Sequence, residues 1–319
     1  MQEKELKSSV SFYEEEINFQ EILSTLYKEK KIIFIFTVFF SFSALIYGFF
    51  LPNIYESKAL LSPVEQSESI SSSLGSLGGL ASIAGIGIPS SSTENKSQKA
   101  LEKLSSFSFF ENKIMPNIFL PELMAVDYWD YKTNTIVFDS NLYDQNSNLW
   151  VRDFSYPKKQ VPSPQESFEA FLKEHLDISQ DDKTGFITLA VRHESPYIAN
   201  EWAELLVREI NNFYREKDKN EAKKSILFLN EQLSKTSLTE IKLALAELLQ
   251  AEIKKLTLVE ARELYVFDYI DPSTIMEKRN SPNRYLIVFF GTIFGFILGL
   301  IYVMVVNLSK KSSEIYNQS

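Results

Sequence analysis

Two long apolar runs dominate the pattern of hydrophobic and polar positions. They extend from Ile32 to Leu51 and from Leu286 to Val306, and neither contains a charged residue. A helix of about 20 residues is about 30 Å long, which matches the apolar core of a bilayer. Globular helices of this length usually carry polar residues on one face. The pattern therefore predicts two transmembrane helices, at 32–51 and 285–307.

The positions of the lysines predict how these helices are oriented. Lysines precede the first run and follow the second: Lys28, Lys30, Lys31, Lys310 and Lys311. Because short positively charged loops stay in the cytoplasm, we expect cytoplasmic tails at 1–31 and 308–319. Residues 52–284 then form one domain on the far side of the membrane. No small-x-small cleavage site follows the first run, so we expect an uncleaved anchor.

Between the runs, alternating apolar and polar residues predict three strands. The strands start near Tyr55, Phe186 and Tyr265, and a turn at Asp181–Gly185 precedes the second of them. Short links join the first and third strands to the two apolar runs, so both ends of the domain must meet there. We expect the three strands to pair in one membrane-proximal mixed sheet. The segment 113–160 yields no clear element.

Helical periodicity and N-cap residues predict the helices of this domain. A capping box begins at Ser163 and another at Ser237, and Ser195-Pro196 opens a helical pattern that continues to Leu233. That pattern would extend about 57 Å as one helix, longer than a compact domain requires. Its polar middle must stand in solvent or meet a neighbour. The fold class is therefore α+β, with two transmembrane helices flanking a domain built on a sheet and a long projecting helix.

The composition limits which kinds of binding site and partner the chain can have. The 319 residues include no cysteine and two histidines, and the formal net charge is −9. Disulfides and thiolate metal sites are excluded, and His175 and His193 are too isolated in sequence to predict a metal site. The acidic balance argues against nucleic acid as a partner, because such proteins present a basic face.

No motif in the chain predicts catalysis. The stretch 71–92 holds five of the ten glycines but lacks the lysine and following helix of a phosphate-binding loop. Ser155 and Lys158 have the spacing of a serine nucleophile motif, but Pro157 lies between them in a polar stretch. His193-Glu194 lacks the second histidine of HExxH. We therefore expect no enzyme, no metal and no cofactor.

The second apolar run carries one distinctive pattern. Gly291, Gly295 and Gly299 recur every four residues, which leaves a smooth ridge along one helix face. Ala44 and Gly48 offer a weaker match in the first run. Because small residues let helix backbones approach closely in membranes, we expect these five positions to serve helix packing.

The assembled pattern resembles the Wzz-type chain-length determinants, or polysaccharide co-polymerases. The matching parts are LPNIYESKALLSP after the first run, LGSLGGLASIAG, TGFITLAVRHESPYIANEWAELLVREIN, and YVFDYIDPSTIMEKRNSPNRYLIVFFGTIFG. Pro272, Pro282 and Arg284 fit the family's membrane-proximal motif before the second span, whereas Met276 stands where a proline is common. The tyrosine kinase domain that some relatives carry after the second span is not expected in this chain.

The resemblance implies a two-pass protein of a bacterial inner membrane with a periplasmic main domain. It implies a ring-shaped homo-oligomer that works with a Wzy-type polymerase and sets the chain length of O-antigen lipopolysaccharide. The glycan in such systems is linked to an undecaprenyl carrier, and the sequence leaves open whether it binds this chain. An alternative is a capsule or exopolysaccharide export adaptor that recruits a separate cytoplasmic tyrosine kinase. A two-span sensor is a third reading, but no signalling domain supports it.

Overall fold

A computed structural model describes residues 26–64 and 96–317 of the chain. Most of the predicted N-terminal tail, the glycine-rich stretch at 71–92 and the last two residues lie outside the described residues. The chain divides into two compact units, Met1–Leu51 with Pro282–Ser319, and Pro52–Ser281.

The helices and strands follow in chain order. The helices are α1 (Lys30–Phe50), α2 (Lys96–Leu104), α3 (Leu120–Met124), α4 (Pro164–Ala170), α5 (Pro196–Lys235), α6 (Thr239–Ala261) and α7 (Arg284–Asn317). The strands are β1 (Tyr55–Pro63), β2 (Val126–Asp130), β3 (Thr135–Phe138), β4 (Tyr143–Asp144), β5 (Leu149–Trp150), β6 (Leu176–Gln180), β7 (Ile187–His193) and β8 (Phe267–Asp271). Short helical turns at Phe107–Phe109, Phe110–Ile114 and Met115–Asn117 follow α2, and a π-helical turn at Phe171–His175 follows α4.

The first unit consists of α1 and α7, which pack against each other. Both helices are long and apolar enough to cross a membrane, over Lys30–Phe50 and Arg284–Asn307. Large apolar side chains such as Phe34, Phe39 and Phe290 point outward from the pair. This pattern fits a lipid environment, because a soluble protein rarely exposes so much contiguous apolar surface.

The second unit is built on a four-stranded sheet in the order β6-β7-β1-β8. As predicted, β1 pairs with both β7 and β8, with Ala59 opposite Leu189 and Ser62 opposite Asp268. All three pairings are antiparallel, so the expectation of a mixed sheet was wrong in this detail. β6 and β7 form a hairpin joined by residues 181–186, and the two strands of a hairpin are antiparallel. β1 in turn runs opposite to β7 and to β8.

The core lies between this sheet and the first half of α5. The predicted inward residues Ile187, Leu189 and Val191 of β7 are fully buried, and Trp202 of α5 packs above them. Phenylalanines from the turns after α2 and α4 complete the cluster: Phe109, Phe110 and Phe171. The α+β fold class predicted from the sequence is therefore confirmed.

Of the two predicted capping boxes, the structure contains the one at Ser163. Ser163 caps α4, and its hydroxyl accepts a hydrogen bond from the Glu166 backbone N–H at 3.3 Å. The predicted cap at Ser237 was wrong, because α6 begins after Leu238 and no side chain caps it. The first turn of α6 is exposed, so water can satisfy its backbone N–H groups without a side-chain cap.

The segment that the sequence left unassigned forms two small hairpins, β2-β3 and β4-β5. Asn134 and Asn148 take positive φ values of 53° and 55° in the connecting turns. Asn tolerates this conformation better than most residues, which explains its place there. Aromatic contacts link the hairpins, including Phe138 to Tyr143 and Tyr143 to Trp150.

Candidate functional site

The glycines of α7 face α1. A Cβ atom built on Gly295 would lie 2.7 Å from the Phe40 Cβ and 3.0 Å from the Phe36 carbonyl oxygen. A Cβ atom on Gly299 would lie 3.0 Å from the Cα of Ile33. Real Cβ atoms almost never come as close as the contact at Gly295, so a side chain there would push the helices apart. At Gly299 the backbone of Ile33 would have to move by a few tenths of an ångström.

The other small residues of the pair differ in how tightly they are enclosed. A Cβ atom on Gly291 would overlap the side chain of Ala44, whereas one on Gly48 would meet nothing closer than 3.9 Å. One polar contact also crosses the pair, because the Thr292 hydroxyl donates to the Ser41 hydroxyl at 3.0 Å. The structure thus brings the five predicted positions to one interface within the chain.

The predicted membrane-proximal residues lie at two places in the segment between β8 and α7. Pro272 directly follows β8 and is exposed, and Pro282 precedes α7 by two residues. Arg284 opens α7, with its guanidinium 5.3 Å from the ring centroid of Phe49. The segment between the prolines is held at its start, since the Ser57 hydroxyl donates to the Thr274 carbonyl oxygen at 2.8 Å.

The two histidines share no sequence motif, yet they lie together in the second unit. The ring centroids of His175 and His193 are 5.6 Å apart, and each ring contacts Trp202. The hairpin explains the meeting, because His175 ends the turn before β6 and His193 ends β7. Recognising β6 as a strand would have revealed this pair from the sequence.

Hydrogen bonds fix His193 in its neutral form. Its Nδ1 accepts from the Ser195 backbone N–H at 2.9 Å, so Nδ1 carries no proton. Its Nε2 lies 2.9 Å from the Glu122 carbonyl oxygen and therefore donates. Burial, with a smaller contribution from His175, lowers the pKa of His193 to about 3. Burial likewise lowers the pKa of His175, whose Nδ1 donates to the Arg192 carbonyl oxygen at 2.7 Å.

A cavity of about 450 Å³ opens beside the histidines. Its wall includes Glu174, His175, Arg192, His193, Glu194 and Asn280. The backbone bridge between Ile54 and Ser281 closes one side, with the Ile54 N–H donating to the Ser281 carbonyl oxygen at 2.9 Å. The volume lies within the range of about 300–1,000 Å³ that is typical of small-molecule sites.

The carboxylates around this cavity have different partners. Glu56 is satisfied by Lys58 at 2.8 Å, by Arg192 at 3.5 Å and by the Asn280 amide. In contrast, no Lys or Arg among the described residues pairs with Glu174 or Glu194. Burial raises the pKa of Glu194, and the charge of Glu174 adds to the shift.

A second polar cluster attaches α5 to the sheet. Asn211 is buried, and its Oδ1 accepts from the backbone N–H groups of Tyr265, Val266 and Phe267 at 2.9, 2.7 and 3.0 Å. Its amide donates to the Phe267 carbonyl oxygen at 3.1 Å. The side chain therefore takes the place of a neighbouring strand for the start of β8. No pattern in the sequence indicates this role, because a single asparagine in a helical pattern is typical of a surface residue.

Two turns further along α5, Asp218 extends this cluster. It accepts from the Tyr265 hydroxyl at 2.6 Å and pairs with Lys96 of α2 at 2.5 Å. These contacts join α2, α5 and the segment before β8, which are distant in sequence. Within the described residues, no group of three His, Cys, Asp or Glu side chains could hold a metal ion.

Comparison with known proteins connects the chain to a family. Residues 15–110 match the family model of Wzz, the chain length determinant protein. The resemblance predicted from the sequence motifs is confirmed. The Wzz match includes α1, β1 and α2 among the described residues, and it also spans the glycine-rich stretch. No curated protein sequence matches the chain.

Two solved structures are similar over much of their length. A full-length bacterial polysaccharide co-polymerase is 12% identical, and the match covers 92% of this chain and 99% of that one with a TM-score of 0.39. A fragment of WzzB, a polysaccharide co-polymerase from Salmonella Typhimurium, is 14% identical, with coverage of 72% and 100% and a TM-score of 0.31.

Proposed function

We propose that the chain regulates the length of a surface polysaccharide as an inner-membrane co-polymerase. The match of residues 15–110 to the Wzz family model carries the proposal. Two helices able to span a membrane, on either side of an α+β unit, agree with it. O-antigen lipopolysaccharide is the expected polymer, and a Wzy-type polymerase is the expected partner. The chain would act through contact and assembly, with no covalent step of its own.

Exposed apolar residues on α5 and α6 support assembly with further copies of the chain. Leu227 and Phe228 on α5 are 70% and 59% exposed, and Leu243 on α6 is 63% exposed. Exposed large apolar side chains are common in protein interfaces. A homo-oligomer, closed into a ring, would cover them and would give a polymerase a fixed geometry to work against.

The test of the function is a gene deletion followed by electrophoresis of the surface polysaccharide. We expect polymer to be made without its modal length cluster, and we expect the wild-type chain on a plasmid to restore the cluster. An empty plasmid is the control. An unchanged length distribution after deletion would contradict the proposal, whereas complete loss of polymer would point to an export role.

We further propose that 52–284 is periplasmic and that the tails at 1–31 and 308–319 are cytoplasmic. Because the chain has no cysteine, single cysteines can report this directly. A membrane-impermeant maleimide added to whole cells, with the outer membrane permeabilised, should label Ser155→Cys and leave Ser312→Cys unlabelled until the inner membrane is opened. The reverse pattern would refute the orientation.

The packing role of the glycines is also a proposal, and the α1–α7 contact gives it a sharp test. Ser41→Cys and Thr292→Cys together should form a disulfide, because the native hydroxyl oxygens are 3.0 Å apart. Adding Gly295→Leu should abolish this crosslink and weaken length control. Adding Gly48→Ala is the matched control, and it should change neither. A crosslink that survives Gly295→Leu would show that the ridge does not hold the helices together.

A further inference from the structure

We propose that the cavity beside the histidine pair binds a neutral, hydroxyl-rich ligand, namely one or two sugar units of the polysaccharide. This inference rests on the proposed function for the source of the sugar. Its structural basis is the cavity of about 450 Å³ and the two carboxylates on its wall, Glu174 and Glu194, which have no basic partner among the described residues. Glu174 is exposed and Glu194 is half-buried, so sugar hydroxyls that enter the cavity would take the place of the water that solvates these carboxylates.

The wall also argues against an anionic ligand. Two carboxylates would repel a phosphate or a carboxylate group. The only guanidinium on the wall described here, that of Arg192, is already engaged by Asp177 at 2.7 Å and by Glu56 at 3.5 Å. Little positive charge is left for an anion.

The cavity wall also offers few ligands for a metal cation. Both nitrogens of His193 are occupied by backbone groups, and Nδ1 of His175 is bonded to a carbonyl oxygen. A cation would therefore meet two carboxylates beside a guanidinium, without the nitrogen ligands that the histidines suggest at first sight.

A neutral polyol fits the remaining chemistry. Hydroxyl groups both donate and accept, so they can use the carboxylates of Glu174 and Glu194 together with the polar wall at Asn280 and Ser281. The backbone bridge between Ile54 and Ser281 fixes that side of the cavity in place. A site of this kind needs little rearrangement on binding, which favours affinity for a flexible ligand.

The experiment is a calorimetric titration of the full-length chain in detergent. The probe is a set of fragments, one to three repeating units long, cut from the host's own surface polysaccharide. Glu174→Ala and Glu194→Ala should each weaken binding about tenfold, because a hydrogen bond to a charged group is lost. Glu169→Ala is the matched control, since Glu169 is an exposed carboxylate of α4 that lies off the cavity wall. It should bind as the wild type does.

The outcomes separate this inference from the proposed function. Failure of the wild-type chain to bind the fragments, or equal binding by Glu174→Ala and Glu194→Ala, would overturn the cavity as a sugar site. Saturable binding of MgCl₂ or spermidine alone, lost in the same two variants, would replace the sugar with a cation. None of these results would alter the polysaccharide pattern of the deletion strain, which tests the proposed function separately.

Discussion

The two halves of α5 belong to one continuous helix but have opposite surroundings. From Pro196 to Asp218 the helix buries a residue in nearly every turn against the sheet, whereas beyond Asp218 only Ala222 and Leu229 are buried. The second half packs along α6, with Lys219 paired to Glu260 at 3.0 Å. It leaves Leu227 and Phe228 largely exposed. We therefore expect the first half to carry stability, and in the proposed assembly the second half would supply the contact surface.

The largest loss of stability should come from replacing Asn211, whose side chain attaches the first half of α5 to β8. Asn211→Ala leaves buried N–H groups of β8 without an acceptor, so we expect the unit to lose about 3 kcal/mol of its free energy of unfolding. All three tryptophans, Trp129, Trp150 and Trp202, lie in the second unit, so denaturant unfolding followed by tryptophan fluorescence reports it.

Asn212→Ala is the control for this substitution. Asn212 is the next residue of the same helix, and its side chain accepts only from Arg215 in the contacts described here. We expect its loss to change stability by less than about 0.5 kcal/mol. Equal effects at the two positions would show that Asn211 is not the anchor.

A smaller loss of stability is expected at acid pH from His193, which lies three residues before the start of α5. The ordinary pKa of 6.5 falls to about 3 in the folded state of His193, so the unfolded chain binds a proton that the folded chain rejects. The stability that the neutral ring contributes is therefore present above pH 6.5 and is lost progressively as the pH falls toward 3. Near pH 4.5 the loss relative to pH 7 should be about 2–3 kcal/mol.

His193→Gln isolates this contribution, since glutamine keeps a side-chain donor and does not titrate. Glu122 acts in the opposite direction, because burial raises its pKa to about 6 with Glu201 adding to the shift. The difference between wild type and His193→Gln removes that background. We expect the variant to show the shallower loss of stability between pH 7 and pH 4.5, and parallel curves would rule out His193 as the titrating group.

The smallest effect on stability is expected in the second half of α5. Leu227→Gln should change the free energy of unfolding by less than about 0.5 kcal/mol, because the side chain is already exposed. The same change should weaken assembly, measured by light scattering of the detergent-solubilised chain. Lys224→Gln, an exposed substitution one turn earlier, is the control for assembly. A large loss of stability at Leu227 would contradict the division of α5 into two roles.

Hydrophobic periodicity and helix-capping residues were enough to predict the main helices and strands. The two apolar runs, the pairing of β1 with β7 and β8, the cap at Ser163 and the long helix from Pro196 all follow from local patterns that the tertiary structure respects. Strong periodicity survives folding because it determines which face is buried. The turn before β7 was predictable for the same reason, since Gly185 takes a φ of 71° there.

The polar clusters could not be predicted in this way. The meeting of His175 with His193 depends on β6, a strand of five residues whose pattern is short and mostly exposed. The role of Asn211 depends on β8, which lies more than fifty residues further along the chain. Such long-range partners leave no periodic trace in a single sequence. The cavity and its carboxylates therefore emerged only from the folded chain.

The most direct test of the account asks whether exposed residues of α5 set polymer length. Leu227→Glu with Phe228→Glu should be expressed in the deletion strain, and the surface polysaccharide should be separated by electrophoresis beside that of the wild type and Lys224→Glu. We predict that polymer is still made, that the double variant loses the modal length, and that Lys224→Glu keeps it. A wild-type length distribution from a double variant that no longer assembles would contradict the account.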